Sequence, residues 1–196
     1  MSVALNEVVT SGSAAAHALR SRNAMNAYVV GSRGLRAELA DAGIRSVRGP
    51  RADAVVVGFD SRVTLGDLER AMNAIVQGAA FIATGADRSY PRRRSVGLGT
   101  GAVVAALETA TGRQAEVVGK PRAPMFELAL AGVAGSAVMV GDNPVSDIGG
   151  AHAYGIPGVL VGRHPLPSAE GPVPLTVIPD LRGLFAWPPT ARARAG

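Results

Sequence analysis

Short, unbroken apolar runs, each followed by a segment of helical periodicity, set the tightest limit on the folds open to this sequence. Residues 54–59 hold Val55, Val56 and Val57 in succession, the mark of a strand buried on both faces. Similar runs lie at 27–30 and 81–84. Between them Leu35, Leu39 and Ala42 mark one helix closed by Gly43. Thr64 caps another, whose apolar face reads as Leu65, Leu68, Met72, Ile75 and Val76 and which stops at Gly78. A helix capped by Thr10 or Ser11 and running to Arg20 precedes them. Residues 85–100 read as a polar loop rich in Gly and Arg, and a helix over 101–111 follows, ended by Gly112. The alternation continues with strand 116–118, helix 124–130, strand 137–140, helix 146–154 and strand 158–161. A last strand over 175–178 and a helical turn over 180–185 lead to a basic tail, 188–196, expected to be disordered. This order predicts an α/β fold with parallel sheet, whose ligands gather at the carboxyl ends of the strands.

Composition narrows the class further. Hydrophobic residues make up 47% of the chain and aromatics 4%, which suits α/β layers of small side chains better than a β-sandwich. With no Cys there is neither a disulfide, a thiolate metal site nor a thiol nucleophile. The amino terminus shows no charged-then-apolar signal pattern, and no apolar run reaches the ~20 residues that span a bilayer. A cytoplasmic protein is the expectation. A net charge of +5 and a pI near 10.6 raise the question of nucleic acid. However, the arginines are scattered apart from Arg92-Arg93-Arg94 and the Arg192/Arg194 tail, and only Tyr90 stands among them for base stacking. A nucleic-acid role is not expected.

Two motifs carry chemistry. Lys120 is the one lysine beside nineteen arginines, and it stands at a strand-to-loop corner in Val117-Val118-Gly119-Lys120-Pro121. Lysine offers a compact point charge where arginine offers a planar fork, so the exchange is not neutral. Downstream, Val138-Met139-Val140-Gly141-Asp142-Asn143-Pro144-Val145-Ser146-Asp147 ends an apolar run in two carboxylates. Their spacing puts Asp142 at a strand end and Asp147 in the first turn of the next helix, half of a Mg²⁺ site built from hard oxygens. Each residue also has a plainer reading: Lys120 as a loop residue, Asp142 as a turn former and Asp147 as a partner of the helix dipole. Taken together they favour phosphoryl chemistry, where cation and ammonium neutralise charge on the transferring group. Gly97, Gly99 and Gly101 have the wrong spacing for a dinucleotide loop, and His17, His152 and His164 share no metal-ligand spacing.

Val118-Gly119-Lys120-Pro121 and Val140-Gly141-Asp142-Asn143-Pro144-Val145-Ser146-Asp147-Ile148 resemble the third and fourth motifs of haloacid dehalogenase (HAD) phosphatases. More narrowly, they are similar to the NagD and p-nitrophenyl phosphatase branch. Val8-Val9-Thr10-Ser11, Val56-Val57-Gly58-Phe59-Asp60, Phe81-Ile82-Ala83-Thr84-Gly85-Ala86-Asp87 and Gly99-Thr100-Gly101-Ala102 resemble stretches of that branch's α/β cap. The resemblance covers nearly all of residues 7–163. It implies an α/β cap over 1–113, the C-terminal part of an incomplete Rossmann-like core over 114–187, and the tail over 188–196. It further implies that Lys120 holds the phosphoryl group and the nucleophile, that Asp142 and Asp147 serve a Mg²⁺ ion, and that Asp60, Asp87 and Arg88 reach a small phosphorylated metabolite. A homodimer through the cap is a further implied partner.

The same resemblance exposes a gap. HAD phosphatases open with an Asp-x-Asp pair, nucleophile and acid/base, and then a Thr or Ser that binds the phosphoryl group. No Asp-x-Asp occurs in the 196 residues. An alternative register reads Val55-Val56-Val57-Gly58-Phe59-Asp60 as the nucleophile strand and Phe81-Ile82-Ala83-Thr84 as the phosphate-binding one. There Arg62 stands where the second Asp is needed, leaving no acid to protonate the leaving group. Two functions stay open: a truncated Mg²⁺-dependent phosphatase whose chain alone is inactive, and a non-catalytic cap-like binding or dimerisation module. In the first, the strand over 137–140 has an open edge and the core remnant is expected to be marginal.

Overall fold

A computed structural model of the chain describes residues 4, 7–162 and 173–186. It divides into two compact units, Met1–Ala131 and Gly132–Gly196. Sequence reading puts the boundary at 113; the division falls after Ala131, because the segment between completes the first unit's sheet and core.

The first unit is a parallel sheet. Its strands are β1 (Asn26–Val30), β2 (Arg45–Ser46), β3 (Ala54–Val57) and β4 (Ala80–Ala83), with β7 (Glu116–Val117) completing it in the order β2-β1-β3-β4-β7. Every pairing is parallel, with Val55 opposite both Tyr28 and Phe81. Successive side chains of a strand point to opposite faces, so the valine run feeds two cores at once. Val56, with Val29 and Ile82, packs against Leu19 of α1 (Ser11–Arg20) and Leu35 and Leu39 of α2 (Arg33–Asp41). Val55 and Val57 pack on the other face against Ala71, Ala74 and Ile75 of α3 (Leu65–Val76) and Val104 and Leu107 of α4 (Thr100–Thr111). The last helix of the unit, α5 (Ala123–Leu130), lays Leu128 against the first of these cores.

Helix starts follow the expected chemistry. Thr10 and Thr64 both close capping boxes, with Ser13 and Asp67 respectively, so two orphan backbone donors are satisfied at each start. The Thr64 hydroxyl donates to Asp67 at 2.7 Å; that bond, then the Thr64 backbone N–H, then the Arg70 guanidinium hold the Asp67 carboxyl down to about 2. The face of α3 differs from the sequence reading. Ala71, Ala74 and Ile75 are buried, whereas Leu65 and Val76 are 79% and 63% exposed. Small residues let the helix approach the sheet closely, and the larger apolar residues at its two ends fall beside that contact.

Residues 85–100 also differ. Instead of a plain loop they hold an antiparallel hairpin, β5 (Ser89–Arg92) and β6 (Ser95–Leu98), turned at Arg93 and Arg94. Tyr90 packs edge-on to Phe59, ring centroids 4.9 Å apart. Short pieces carrying Pro91, Gly97 and arginines lack the apolar alternation that betrays a strand.

The second unit is a parallel sheet in the order β10-β9-β8, from β8 (Met139–Gly141), β9 (Gly158–Val161) and β10 (Thr176–Ile178). A π-helical turn, Pro144–Gly149, runs into α6 (Gly150–Tyr154), and a 3₁₀ turn, Leu181–Ala186, closes the described part. Ile148, Ala151, Val159 and Leu160 form its interior. Among the described residues β8 pairs with β9 alone, so its second edge is open and its side chains are only half-buried. The tail expected to be disordered and His164 lie outside the described residues.

Candidate phosphoryl-transfer site

In a parallel sheet every strand ends on the same edge, and there the chain must turn toward its next helix. β1 ends in Gly31 and Ser32, whose hydroxyl accepts from the Leu35 N–H at 3.3 Å and starts α2. β3 runs into Gly58, Phe59 and Asp60, and β4 into Thr84 and Gly85. β7 delivers Lys120 to this edge. The Val118 N–H donates to the Ala83 carbonyl at 2.9 Å, extending the pairing past the strand. A Cβ on Gly119 would collide with the Thr84 carbonyl oxygen, so only glycine lets the two chains run this close. Lys120 itself is half-buried, and its bond to Pro121 is cis.

The cap residues expected to reach substrate stand on neighbouring loops. Asp60 is half-buried and held by its own turn: Oδ1 accepts from the Arg62 backbone N–H at 3.0 Å and from its Nε at 3.1 Å. The Arg62 guanidinium and then its backbone N–H hold the Asp60 carboxyl below the usual carboxylate range. Asp87 is exposed on the loop after β4, where its carbonyl accepts from the Gly101 N–H at 2.8 Å. With Ser32, Phe59, Thr84 and Thr100, Asp87 lines a cavity of about 350 Å³. Arg88 is exposed beside it, its carbonyl accepting from Gly99 at 3.0 Å. Sequence reasoning passed over Ser32, Thr84 and Thr100 as cavity residues. A legible signal existed: each sits next to a glycine at a strand end or a helix start.

The second unit carries the two carboxylates five residues apart, Asp142 after β8 and Asp147 in the first turn of the π-helical segment. Asp142 follows β8 directly and is exposed. Asn143 Oδ1 accepts from the N–H groups of Val145 and Ser146 at 2.9 and 3.0 Å and so starts the π-helical turn. Asp147, 3% exposed, folds back under the loop: its Oδ2 accepts from the Asn143 N–H at 3.0 Å. A Cβ on Gly141 would collide with that carboxylate, so Gly141 is required for Asp147 to reach its place. Carboxylate oxygens suit a hard cation such as Mg²⁺, which keeps several waters and takes one or two carboxylates. Among the described residues no group of three or more His, Asp and Glu side chains is placed to hold a metal. Asp142 and Asp147 therefore fit part of such a site, with further ligands needed.

Residues 117–184 match the family described as "HAD-hyrolase-like", a span holding Lys120, Asp142 and Asp147. The chain is 42% identical over 160 residues to D-glycerol 3-phosphate phosphatase of Mycobacterium tuberculosis, covering 79% of this chain and 45% of that one. It is similar to the crystal structure of the glycerol phosphate phosphatase of Mycobacterium tuberculosis in complex with magnesium, with a TM-score of 0.82, 37% identity, and 90% and 57% of the two chains covered. It is also similar to the p-nitrophenyl phosphatase of Archaeoglobus fulgidus, with a TM-score of 0.85, 27% identity, and 95% and 76% covered. The chain spans about half the length of the curated relatives it matches, 45% and 57% of the first two. Matched by phosphatases in both sequence and structure, the chain belongs to the HAD superfamily, on its NagD-like p-nitrophenyl phosphatase branch.

Proposed function

We propose that this chain carries the lysine and metal-binding half of a HAD phosphatase that hydrolyses small phosphate monoesters. Its support is one observation: Lys120 is delivered to a strand end, and Asp142 and Asp147 stand five residues apart after β8, yet no Asp-x-Asp occurs in the 196 residues. Lys120 would neutralise one oxygen of the phosphoryl group and hold the attacking carboxylate in line. Asp142 and Asp147 would hold Mg²⁺, which when bound supplies charge neutralisation on the transferring group. Asp60, Asp87 and Arg88 would face the leaving group. The nucleophile, whose carboxylate bonds to phosphorus as the ester P–O bond breaks, must come from outside these residues, so the chain alone is proposed to be inactive. D-glycerol 3-phosphate, named for the 42%-identical relative, is the first substrate to try. A cytoplasmic location fits a metabolite substrate, and among the described residues no helix is long and apolar enough to cross a membrane.

The test is restoration. Fusing the chain behind the Asp-x-Asp and phosphate-binding segments of the Archaeoglobus fulgidus phosphatase is expected to give Mg²⁺-dependent hydrolysis. Lys120→Ala should lower kcat by about 10²-fold or more, as losing one transition-state charge partner does. A folded Lys120→Ala fusion as active as the unsubstituted fusion would sink the proposal. A second reading, a non-catalytic module that dimerises through the cap, is favoured by Val96 and Leu98 standing 71% and 75% exposed on the hairpin. It predicts a dimer in sedimentation and no gain of activity on fusion.

A further inference from the structure

A second cavity, rich in arginine, lies in the first unit, lined by residues other than Lys120 and the loops after β3 and β4. It measures about 710 Å³ and is lined by Arg36 of α2, Arg48 after β2, Asp67 and Arg70 of α3, and Tyr28 of β1. The topology opens it. β2 pairs with β1 only at Asn26↔Arg45 and Ala27↔Ser46, and the Val47 N–H reaches the Ala27 carbonyl at 3.0 Å before the chain leaves the sheet edge. Beyond that point the side of β1 at Tyr28 and Val29 faces the cavity.

Its charges are unbalanced. Three arginines and one aspartate line it, an excess of two positive charges. Arg70 is committed inward: it donates to Asp67 Oδ1 at 2.7 Å and, through Nε, to the Tyr28 hydroxyl at 3.0 Å. Tyr28 is 6% exposed, and with its oxygen accepting from Arg70 its own O–H remains a donor. Among the described residues the side chains of Arg36 and Arg48 make no hydrogen bond or ion pair; the Arg36 side chain has only a longer-range attraction to Asp60. Guanidinium forks match the oxygens of a tetrahedral dianion two at a time, and the volume is that of a small-molecule pocket rather than a bare ion's.

We propose that this cavity, lined by Arg36, Arg48, Arg70 and Tyr28, is a binding site for a small phosphate-bearing anion, separate from the phosphoryl-transfer site. It stands whether or not the phosphatase reading does, and binding rather than turnover tests it. Calorimetric titration of the full chain with inorganic phosphate and with pyrophosphate should give saturable binding that persists in Lys120→Ala. Arg36→Gln and Arg48→Gln, both at exposed positions and checked for unchanged melting, should each weaken it about tenfold or more, the loss expected for a charge-assisted pair. Arg113→Gln, an exposed arginine outside the cavity, should leave it unchanged. Absence of saturation, loss in Lys120→Ala alone, or equal weakening by Arg113→Gln overturns the proposal. So would succinate binding through Arg36 and Arg48 where phosphate does not.

Discussion

Asp147 and Gly141 show how tightly single residues are tied at the carboxylate turn. Burying a carboxylate is costly unless it is hydrogen-bonded, and the Asn143 N–H meets Oδ2 at 3.0 Å. The bond forms only because residue 141 has no side chain. Gly141→Ala therefore forces Asp147 aside and should destabilise the second unit by about 1–3 kcal/mol, as overpacking does. Urea unfolding followed by amide exchange at β9 would measure it; an unchanged midpoint would mean that the carboxylate moves away freely. Lys120 is set in its place by the same device, since Gly119 passes against the Thr84 carbonyl. Both positions were legible as Gly-Lys and Gly-Asp in the sequence, because small residue types with one spacing announce them. The reason for each glycine was not, since it lies in an atom contributed by another segment.

Among the elements, α3 carries the clearest acid signature. The folded Asp67 carboxyl lies at about 2 against an ordinary 3.8, mainly through the Thr64 hydroxyl. A depressed carboxylate contributes stability that is fully present above 3.8 and is lost as pH falls through about 2. Thr64→Ala should cost about 1 kcal/mol at neutral pH, the usual loss of an N-cap. Its gap to the parent should narrow as pH drops below 3.8, and a gap constant to pH 2 would contradict the assignment. Among the described residues of the second unit, β9 has a partner on both sides and β8 on one, so β8 amides should exchange faster than those of β9. Equal protection would argue against an open β8 edge. The strands and helices of both units were readable where burial is continuous, as in Val55 to Val57. The hairpin over Ser89–Leu98 was not: its pairing depends on Tyr90 meeting Phe59 and on a cross-strand register that no local pattern encodes. The stripe of α3 was misread for a similar reason, because Ala71 and Ala74 pack closely where the larger Leu65 and Val76 do not reach.

At the scale of the molecule, the two units divide the motif residues, Lys120 in the first and Asp142 with Asp147 in the second. The proposed function gives each of them a role, and no Asp-x-Asp occurs in the 196 residues. The alternative register, with Asp60 as nucleophile, puts a carboxylate already hydrogen-bonded to Arg62 in that role, and Arg62 stands where the second Asp is needed. Hydrolysis of p-nitrophenyl phosphate by the purified 196-residue chain, with Mg²⁺ and with Mg²⁺ removed by EDTA, separates the two registers. No Mg²⁺-dependent turnover above background is the expected result. Turnover that EDTA stops and that Asp60→Asn abolishes would contradict it, and would put the nucleophile at Asp60, on the loop after β3.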